Sequence, residues 1–196
     1  MSAHLSPDRA QVEEAVRALY KADMVTEVRA FNTARGTVSG YFDDLDVLVD
    51  SIAEIGERAP GVFVTLNPVR TDLLERSPNA LVEHVRKTTS DEEIDGLRWL
   101  PVDVDPVRPS GVPSTEAEKA AAEARATEIV ADLSGRGWPA PIIADSGNGA
   151  HLLFQVSLNN DEGGRGLVQR ALDALAFLFS DEAVRVDTSV GNPARI

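Results

Sequence analysis

Residues 97–106 have the sequence LRWLPVDVDP. The apolar and β-branched residues of this stretch predict a buried strand that ends in a proline-rich loop. Because side chains alternate along a strand, Val102 and Val104 face the core, whereas Asp103 and Asp105 share the other face about 7 Å apart. Two like charges on one face repel, and burial raises the pKa of a carboxyl group unless a cation compensates. The pair therefore predicts either a divalent-metal site or, since aspartates favour turns, the cap of a loop.

A glycine-rich turn lies between the apolar runs PIIAD at 141–145 and AHLLFQVSL at 150–158. Its glycines let the backbone approach a ligand closely, and successive amides in such a turn can form an anion nest for phosphate oxygens. We expect His151, near the start of the second run, to donate a hydrogen bond to a triphosphate oxygen. The alternative is a hairpin turn of the Asn-Gly type with a structural histidine. The nucleotide-binding candidates of this segment are Ser146, Gly147, Asn148, Gly149 and His151.

A third carboxylate stands in the last apolar run, VRVDTSVGNPARI at 184–196. Asp187 follows Val184 and Val186, so we expect the fold to bring it to the other two aspartates. The alternative is an Asx turn, because an aspartate before Thr-Ser commonly caps a turn. Three carboxylates and a histidine suit two divalent ions about 4 Å apart, as in two-metal catalytic sites.

The order of the elements predicts an α+β fold that contains hairpins. Residues 1–90 form an N-terminal α/β lobe in this prediction, and residues 91–196 form a second lobe. The second lobe has the order strand, helix, hairpin, helix, strand, close to a ferredoxin-like or RNA-recognition-like core. Thr115 and Glu118 form a capping box that starts its first helix. In the first lobe we expect, after an initial helix, a hairpin at 25–42, a helix at 44–58, a strand at 61–69 and short helices at 72–76 and 79–87.

Composition narrows the class of protein and the kind of metal. The chain has 196 residues of which 43% are hydrophobic, enough for one core divided into two lobes. It has no apolar run long enough to span a membrane, and its first residues lack the features of a signal peptide, so we expect a cytoplasmic protein. Because it has no cysteine, a metal must be held by oxygen or imidazole, which favours Mg²⁺ or Mn²⁺.

The formal net charge of −13 argues against a general nucleic-acid coat protein. If DNA is a partner, it must meet a local arginine patch, bridging metals or a partner chain. Arg98, Arg108 and Arg195 are candidates for triphosphate or template contact, and Arg35 is a candidate for a nucleic-acid groove; ordinary surface charge is the alternative for each. The chain has no P-loop, no HExxH motif and no GxGxxG spacing.

Three segments of the chain resemble the archaeo-eukaryotic primase superfamily, the primase-polymerase catalytic domain of phage, plasmid and related mobile elements. They are RWLPVDVDPVRPSGVPSTEAE, DSGNGAHLLFQV and VDTSVGNPARI, in the family's order and rough spacing, and NPV at 67–69 is similar as well. The resemblance implies a two-lobed primase-polymerase fold with an RNA-recognition-like core in the C-terminal lobe. It implies that Asp103, Asp105 and Asp187 bind two Mg²⁺ or Mn²⁺ ions and that Gly149-Ala150-His151 is the small-x-His element that contacts the nucleotide.

We therefore expect a template-dependent DNA primase or polymerase that uses nucleoside triphosphates. Its expected partners are a single-stranded DNA template, nucleoside triphosphates and, since family members often carry one, a replicative helicase. Family members commonly continue past the segment that NPARI resembles, so a C-terminal truncation of the catalytic domain is a further expectation. The alternatives are a catalytically inactive nucleic-acid- or protein-binding module of the same fold and a metal-dependent phosphohydrolase that uses the same aspartates.

Overall fold

A computed structural model describes residues 8–21, 23–109 and 111–196. Helices alternate with strands that pair antiparallel, and the predicted α+β class is confirmed. The chain divides into two compact units, one of Met1–Gly96 with Pro193–Ile196 and one of Leu97–Asn192. Among the described residues, no helix has the length and apolar character needed to cross a bilayer.

The N-terminal unit packs two helices against a three-stranded sheet in which the first strand lies between the second and the third. Val28, Phe42, Leu48 and Val49, which are at most 1% exposed, form the centre of its core. Its elements are α1 (Arg9–Leu19), β1 (Thr26–Thr33), β2 (Gly36–Phe42), α2 (Leu45–Gly56) and β3 (Val62–Val64). The predicted hairpin and second helix are thus confirmed within a few residues of the expected bounds, whereas the strand expected at 61–69 is only three residues long.

The predicted helix at 79–87 is wrong. Asn79 and His84 have φ values of 49° and 57°, which no right-handed helix contains. The segment instead pairs with β2 through a bridge between Ser39 and Val82, and the Asn79 side chain accepts the amide hydrogens of the residues that precede α2. Tertiary contacts with the sheet thus override the local helical pattern. Just before it, Thr71–Arg76 forms a 3₁₀ helix where a short helix was expected.

The C-terminal unit has the predicted succession of strand, helix, hairpin, helix and strand. In its four-stranded sheet, the first strand of the unit lies between the last strand and the hairpin. The capping box of Thr115 and Glu118 begins the first helix as expected. The elements are β4 (Gly96–Pro106), α3 (Glu116–Gly135), β5 (Ile142–Asp145), β6 (Ala150–Asn159), α4 (Glu162–Phe179) and β7 (Val184–Asp187).

One face of this sheet belongs to the core. Val104 and Leu152 are fully buried and Val186 is 4% exposed, and α3 and α4 pack against β6 and β7. Trp138, which follows α3, packs edge-to-face on Phe154 with ring centroids 5.5 Å apart. Because side chains alternate along each strand, the residues between these apolar positions lie on the face that the two helices leave open.

Candidate functional site

The open face of the C-terminal sheet brings three of the predicted site residues into one row. β4 and β7 pair antiparallel with Asp103 directly opposite Asp187, and opposite residues of such a pair share a face with Cβ atoms about 4.5–5.5 Å apart. On β6, which neighbours β4 on its other side, His151 places Nε2 3.2 Å from Oδ1 of Asp103. The row His151, Asp103, Asp187 therefore crosses three neighbouring strands.

A second row lies two residues further along the same strands. Asp105 on β4 faces Arg185 on β7. On the other side, Gly149 lies so close to β4 that a Cβ there would stand 2.1 Å from the Val104 carbonyl oxygen and 3.1 Å from Oδ1 of Asp105. The row Gly149, Asp105, Arg185 therefore requires glycine at its first position.

The two rows leave negative charge on the sheet that the protein itself does not fully compensate. Like charges directly opposite each other destabilise an antiparallel pair. The Asp103 side chain is only 14% exposed, and its Oδ1 is buried without a hydrogen bond from any residue that the structure describes. Burial, followed by the charge of Asp103, raises the pKa of Asp105, although Arg108, Arg185 and His151 oppose that shift. A bound cation would offset this charge.

Asp187 also has the turn role that was the alternative for it. Its Oδ1 accepts the Ser189 amide hydrogen at 2.8 Å, which caps a 3₁₀ helix of Thr188–Gly191. Asp187 therefore combines a local cap with a position opposite Asp103.

The chemistry of the donor set fits a hard divalent cation. Mg²⁺ and Mn²⁺ prefer carboxylate oxygens, and the buried oxygen of Asp103 that no described donor satisfies is suited to such a ligand. Within residues 8–21, 23–109 and 111–196, however, no three His, Asp or Glu side chains are already arranged around one ion position. The three aspartates are neighbours on the sheet, and their role as metal ligands stays a prediction.

The glycine turn between β5 and β6 donates its amides to its own acceptors. Gly147, with φ of +83°, donates to Oδ1 of Asp145 at 2.7 Å, and Gly149 donates to Oγ of Ser146 at 2.8 Å. The Ser146 amide donates to the Gly149 carbonyl at 3.2 Å. Aspartate and serine side chains commonly bind amides two or three residues ahead in this way. These bonds use the amides of Ser146, Gly147 and Gly149, and phosphate binding at this turn stays a prediction.

Asn148 fixes the turn to the start of α3. Its Oδ1 accepts the Ser114 amide hydrogen at 3.1 Å, immediately before the helix cap Thr115. On the other side of the turn, Lys119 of α3 binds Oδ2 of Asp145 at 2.7 Å. The turn is therefore positioned by α3 and, through Gly149, by β4.

Three of the four arginines expected as contacts do not join the two rows, whereas Arg108 lies near enough to act on the pKa of Asp105. Arg98 stands near the start of β4 and donates to Oγ of Ser157 at 3.1 Å. Arg195 belongs to the N-terminal unit, where its carbonyl accepts the Leu66 amide hydrogen at 2.8 Å. Arg35, in the same unit, forms an ion pair with Glu83 at 2.7 Å.

Sequence reasoning missed Arg185. The alternation in VRVD places Arg185 and Asp187 on one face of a strand, and this signal was visible in the sequence. The register that sets Arg185 opposite Asp105 was not visible.

Comparisons of the chain with protein-family models, with curated proteins and with solved structures gave no match. The resemblance to primase-polymerases therefore rests on the three motifs, and the geometry of the two rows carries the functional proposal.

Proposed function

We propose that the chain is a metal-dependent nucleotidyltransferase that joins nucleoside triphosphates on a single-stranded DNA template, as a primase, a polymerase or both. One observation carries the proposal: Asp103 stands opposite Asp187 on an open sheet face, with His151 on its other side. Two carboxylates directly opposite each other destabilise the strand pair. Divalent cations bound between them would offset this repulsion, so a metal-binding function explains why the pair is present. The similarity of the three motifs to those of primase-polymerases supports the same function.

Each site residue has a role in this proposal. Asp103, Asp105 and Asp187 would hold two Mg²⁺ or Mn²⁺ ions, which would stabilise charge as a 3′-hydroxyl attacks the α-phosphate and pyrophosphate leaves. His151, 43% exposed beside Asp103, donates a hydrogen bond to a phosphate oxygen. Gly149 keeps the turn against β4, so that His151 stays beside the carboxylates. The residues thereby orient the reacting groups, which is a large part of catalysis in phosphoryl transfer.

The setting of the reaction belongs to the same proposal. The net charge of −13 disfavours broad contact with DNA, so we propose that the template is held locally, next to the ions, or by a partner chain. The motifs suggest a replicative helicase as a partner. They also suggest that the protein belongs to a phage, a plasmid or another mobile element.

The test measures nucleotide incorporation on single-stranded DNA with Mn²⁺ and labelled nucleotides, with and without a primer. Asp103→Asn and Asp105→Asn keep the side-chain shape but remove a charge. We expect each to reduce incorporation at least about 100-fold, because even outer partners of metal ligands commonly contribute about 10–100-fold. Asp173→Asn is the matched control, since this exposed carboxylate on α4 binds only Gln169 among the side chains described, at 2.9 Å. Wild-type incorporation by the double variant Asp103→Asn, Asp105→Asn would refute the proposal, provided that its circular dichroism matches that of the wild type.

The alternative functions give different results in the same assays. A binding module of this fold shows no saturable Mn²⁺-dependent binding of nucleotide, whereas a phosphohydrolase releases phosphate from the nucleotide without extending a chain. Chain extension that depends on Asp103 and Asp105 distinguishes the proposed enzyme from both.

A further inference from the structure

A triphosphate on the open face needs positive contacts that the glycine turn does not supply, because its amides donate within the turn. Two cations nearby are held by other partners. Lys119 binds Asp145 at 2.7 Å, and Nη1 of Arg108 donates to the carbonyl of Val112. Each therefore has a structural task in the loops around the site.

Arg185 differs from these cations in its surroundings. It is exposed, and its neighbours Val184 and Val186 are only 2% and 4% exposed. The core therefore fixes its backbone while the side chain stands on the open face. Within the part of the chain that the structure describes, its guanidinium forms no hydrogen bond and no ion pair.

Among the described residues, Arg170 of α4 also forms no hydrogen bond or ion pair, but Arg185 differs from it in standing beside carboxylates. The chain has 32 acidic residues and 19 lysines and arginines, and two other arginines of this unit bind carboxylates. Arg125 binds Asp181 at 2.7 Å and Arg136 binds Asp132 at 2.8 Å. Arg185 stands directly opposite Asp105 and still forms no such ion pair.

We propose that Arg185 binds a phosphate of the incoming nucleoside triphosphate, an inference that rests on the proposed function and adds a substrate contact to it. Arg185 lies two residues from Asp187, about 7 Å along the same face, so a nucleotide held at the row of Asp103 and Asp187 extends its phosphates toward the guanidinium. The planar guanidinium fork matches phosphate oxygens in a bidentate way. Its charge balances phosphate charge that the carboxylate-bound cations leave uncompensated.

The test measures binding of inorganic tripolyphosphate in the presence of Mn²⁺ by calorimetry, with the full chain. We expect Arg185→Ala to weaken this binding about tenfold or more, as expected for the loss of charge-assisted hydrogen bonds. Arg185→Lys keeps the charge but not the fork, so we expect an intermediate loss. Arg170→Ala, which removes an exposed arginine from α4, makes the same change in net charge and should leave binding unchanged. In incorporation assays, Arg185→Ala should raise the KM for nucleotide.

Each outcome supports or overturns the assignment. Unchanged tripolyphosphate binding by Arg185→Ala overturns it, and so does an equal loss in Arg170→Ala, which would indicate a general charge effect. If Arg185→Ala weakens binding of a single-stranded oligonucleotide but not of tripolyphosphate, the contact is to the DNA backbone and the assignment is wrong. A wild-type chain that binds tripolyphosphate through Arg185 yet never extends a strand contradicts the proposed function alone. A wild-type chain that does not bind tripolyphosphate contradicts both.

Discussion

Replacing Gly149 by alanine tests the close approach of the glycine turn to β4. A Cβ at this position would stand 2.1 Å from the carbonyl oxygen of Val104, whereas ordinary contacts begin near 3.4 Å. Val104 is a fully buried residue of the central strand, so neither its backbone nor its side chain has room to withdraw. The turn must therefore move away by about 1 Å, which disturbs the pairing of β6 with β4 beside His151 and Asp103.

The size of the effect follows from the kind of contact. Overpacking in a close-packed region costs about 1–3 kcal/mol, and a clash with backbone belongs to the upper part of that range. Alanine also lowers the conformational entropy of the unfolded chain, which stabilises the folded state by about 0.4–1 kcal/mol. We expect a net loss of about 2 kcal/mol, equivalent to a decrease of about 1 M in the urea midpoint for a slope of about 2 kcal/mol/M.

Tryptophan fluorescence during urea unfolding is a suitable assay, because the two tryptophans, Trp99 and Trp138, lie in the C-terminal unit. Gly135→Ala is the matched control. A Cβ at Gly135 has no neighbour within 4 Å, and the residue ends α3, so its midpoint should stay or rise. If Gly149→Ala unfolds at the wild-type urea concentration, the turn is not held against β4 as described and the reasoning fails.

Three further predictions concern charged groups. Burial and the neighbouring carboxylate raise the pKa of Asp105, so ionisation of Asp105 destabilises the fold as pH rises through that pKa. The variant Asp105→Asn should therefore have a higher urea midpoint than the wild type at neutral pH without metal. Near pH 3 the two urea midpoints should be equal. Glu27 is fully buried and lies 2.7 Å from Arg29. The substitution Glu27→Gln should lower the free energy of unfolding by about 3–5 kcal/mol, because it leaves Arg29 buried without its partner charge. Urea unfolding followed by far-ultraviolet circular dichroism measures this loss. The hydrogen bond from Arg76 holds the pKa of Glu93 at about 2. The free energy of unfolding of the wild type should therefore exceed that of Glu93→Gln by its full amount above about pH 4.5, the ordinary range of a glutamate. This difference should disappear as pH falls toward 2. A gap between these two proteins that is independent of pH would contradict the last prediction.

Much of the C-terminal unit could be predicted because its local signals agree with its tertiary contacts. Alternation along LRWLPVDVDP separated the buried valines from Asp103 and Asp105, and the capping box fixed the first residue of α3. The segment at 79–87 failed for the opposite reason. Its local pattern suits a helix, but its pairing with β2 and the capping by Asn79 stabilise an irregular path.

The site itself depends on register, which local sequence does not specify. The alternation of side chains assigns Asp105 to one face of β4 and Arg185 to one face of β7. Only the pairing of β4 with β7 sets the two residues opposite each other. The glycine turn shows the same limit. Its residues suited an anion nest, and the structure shows that Asp145 and Ser146 bind the amides instead, because both acceptors lie within the turn and reach the amides without cost in chain entropy.

Turn and cap roles explain some of the polar residues near the site, but they do not explain Asp103. Asp187 caps a 3₁₀ helix through Ser189, so its position after a buried strand has a local cause. Asp103 lies inside β4 and is 14% exposed, and its buried Oδ1 has His151 Nε2 at 3.2 Å but accepts no well-aligned hydrogen bond from a described residue. A carboxylate that served stability alone would be expected to accept a well-aligned hydrogen bond there, since an unsatisfied buried polar group costs about 1–3 kcal/mol or more. The sheet also sets a second carboxylate opposite it, and the metal binding that we propose would account for both the buried oxygen and the opposed charge.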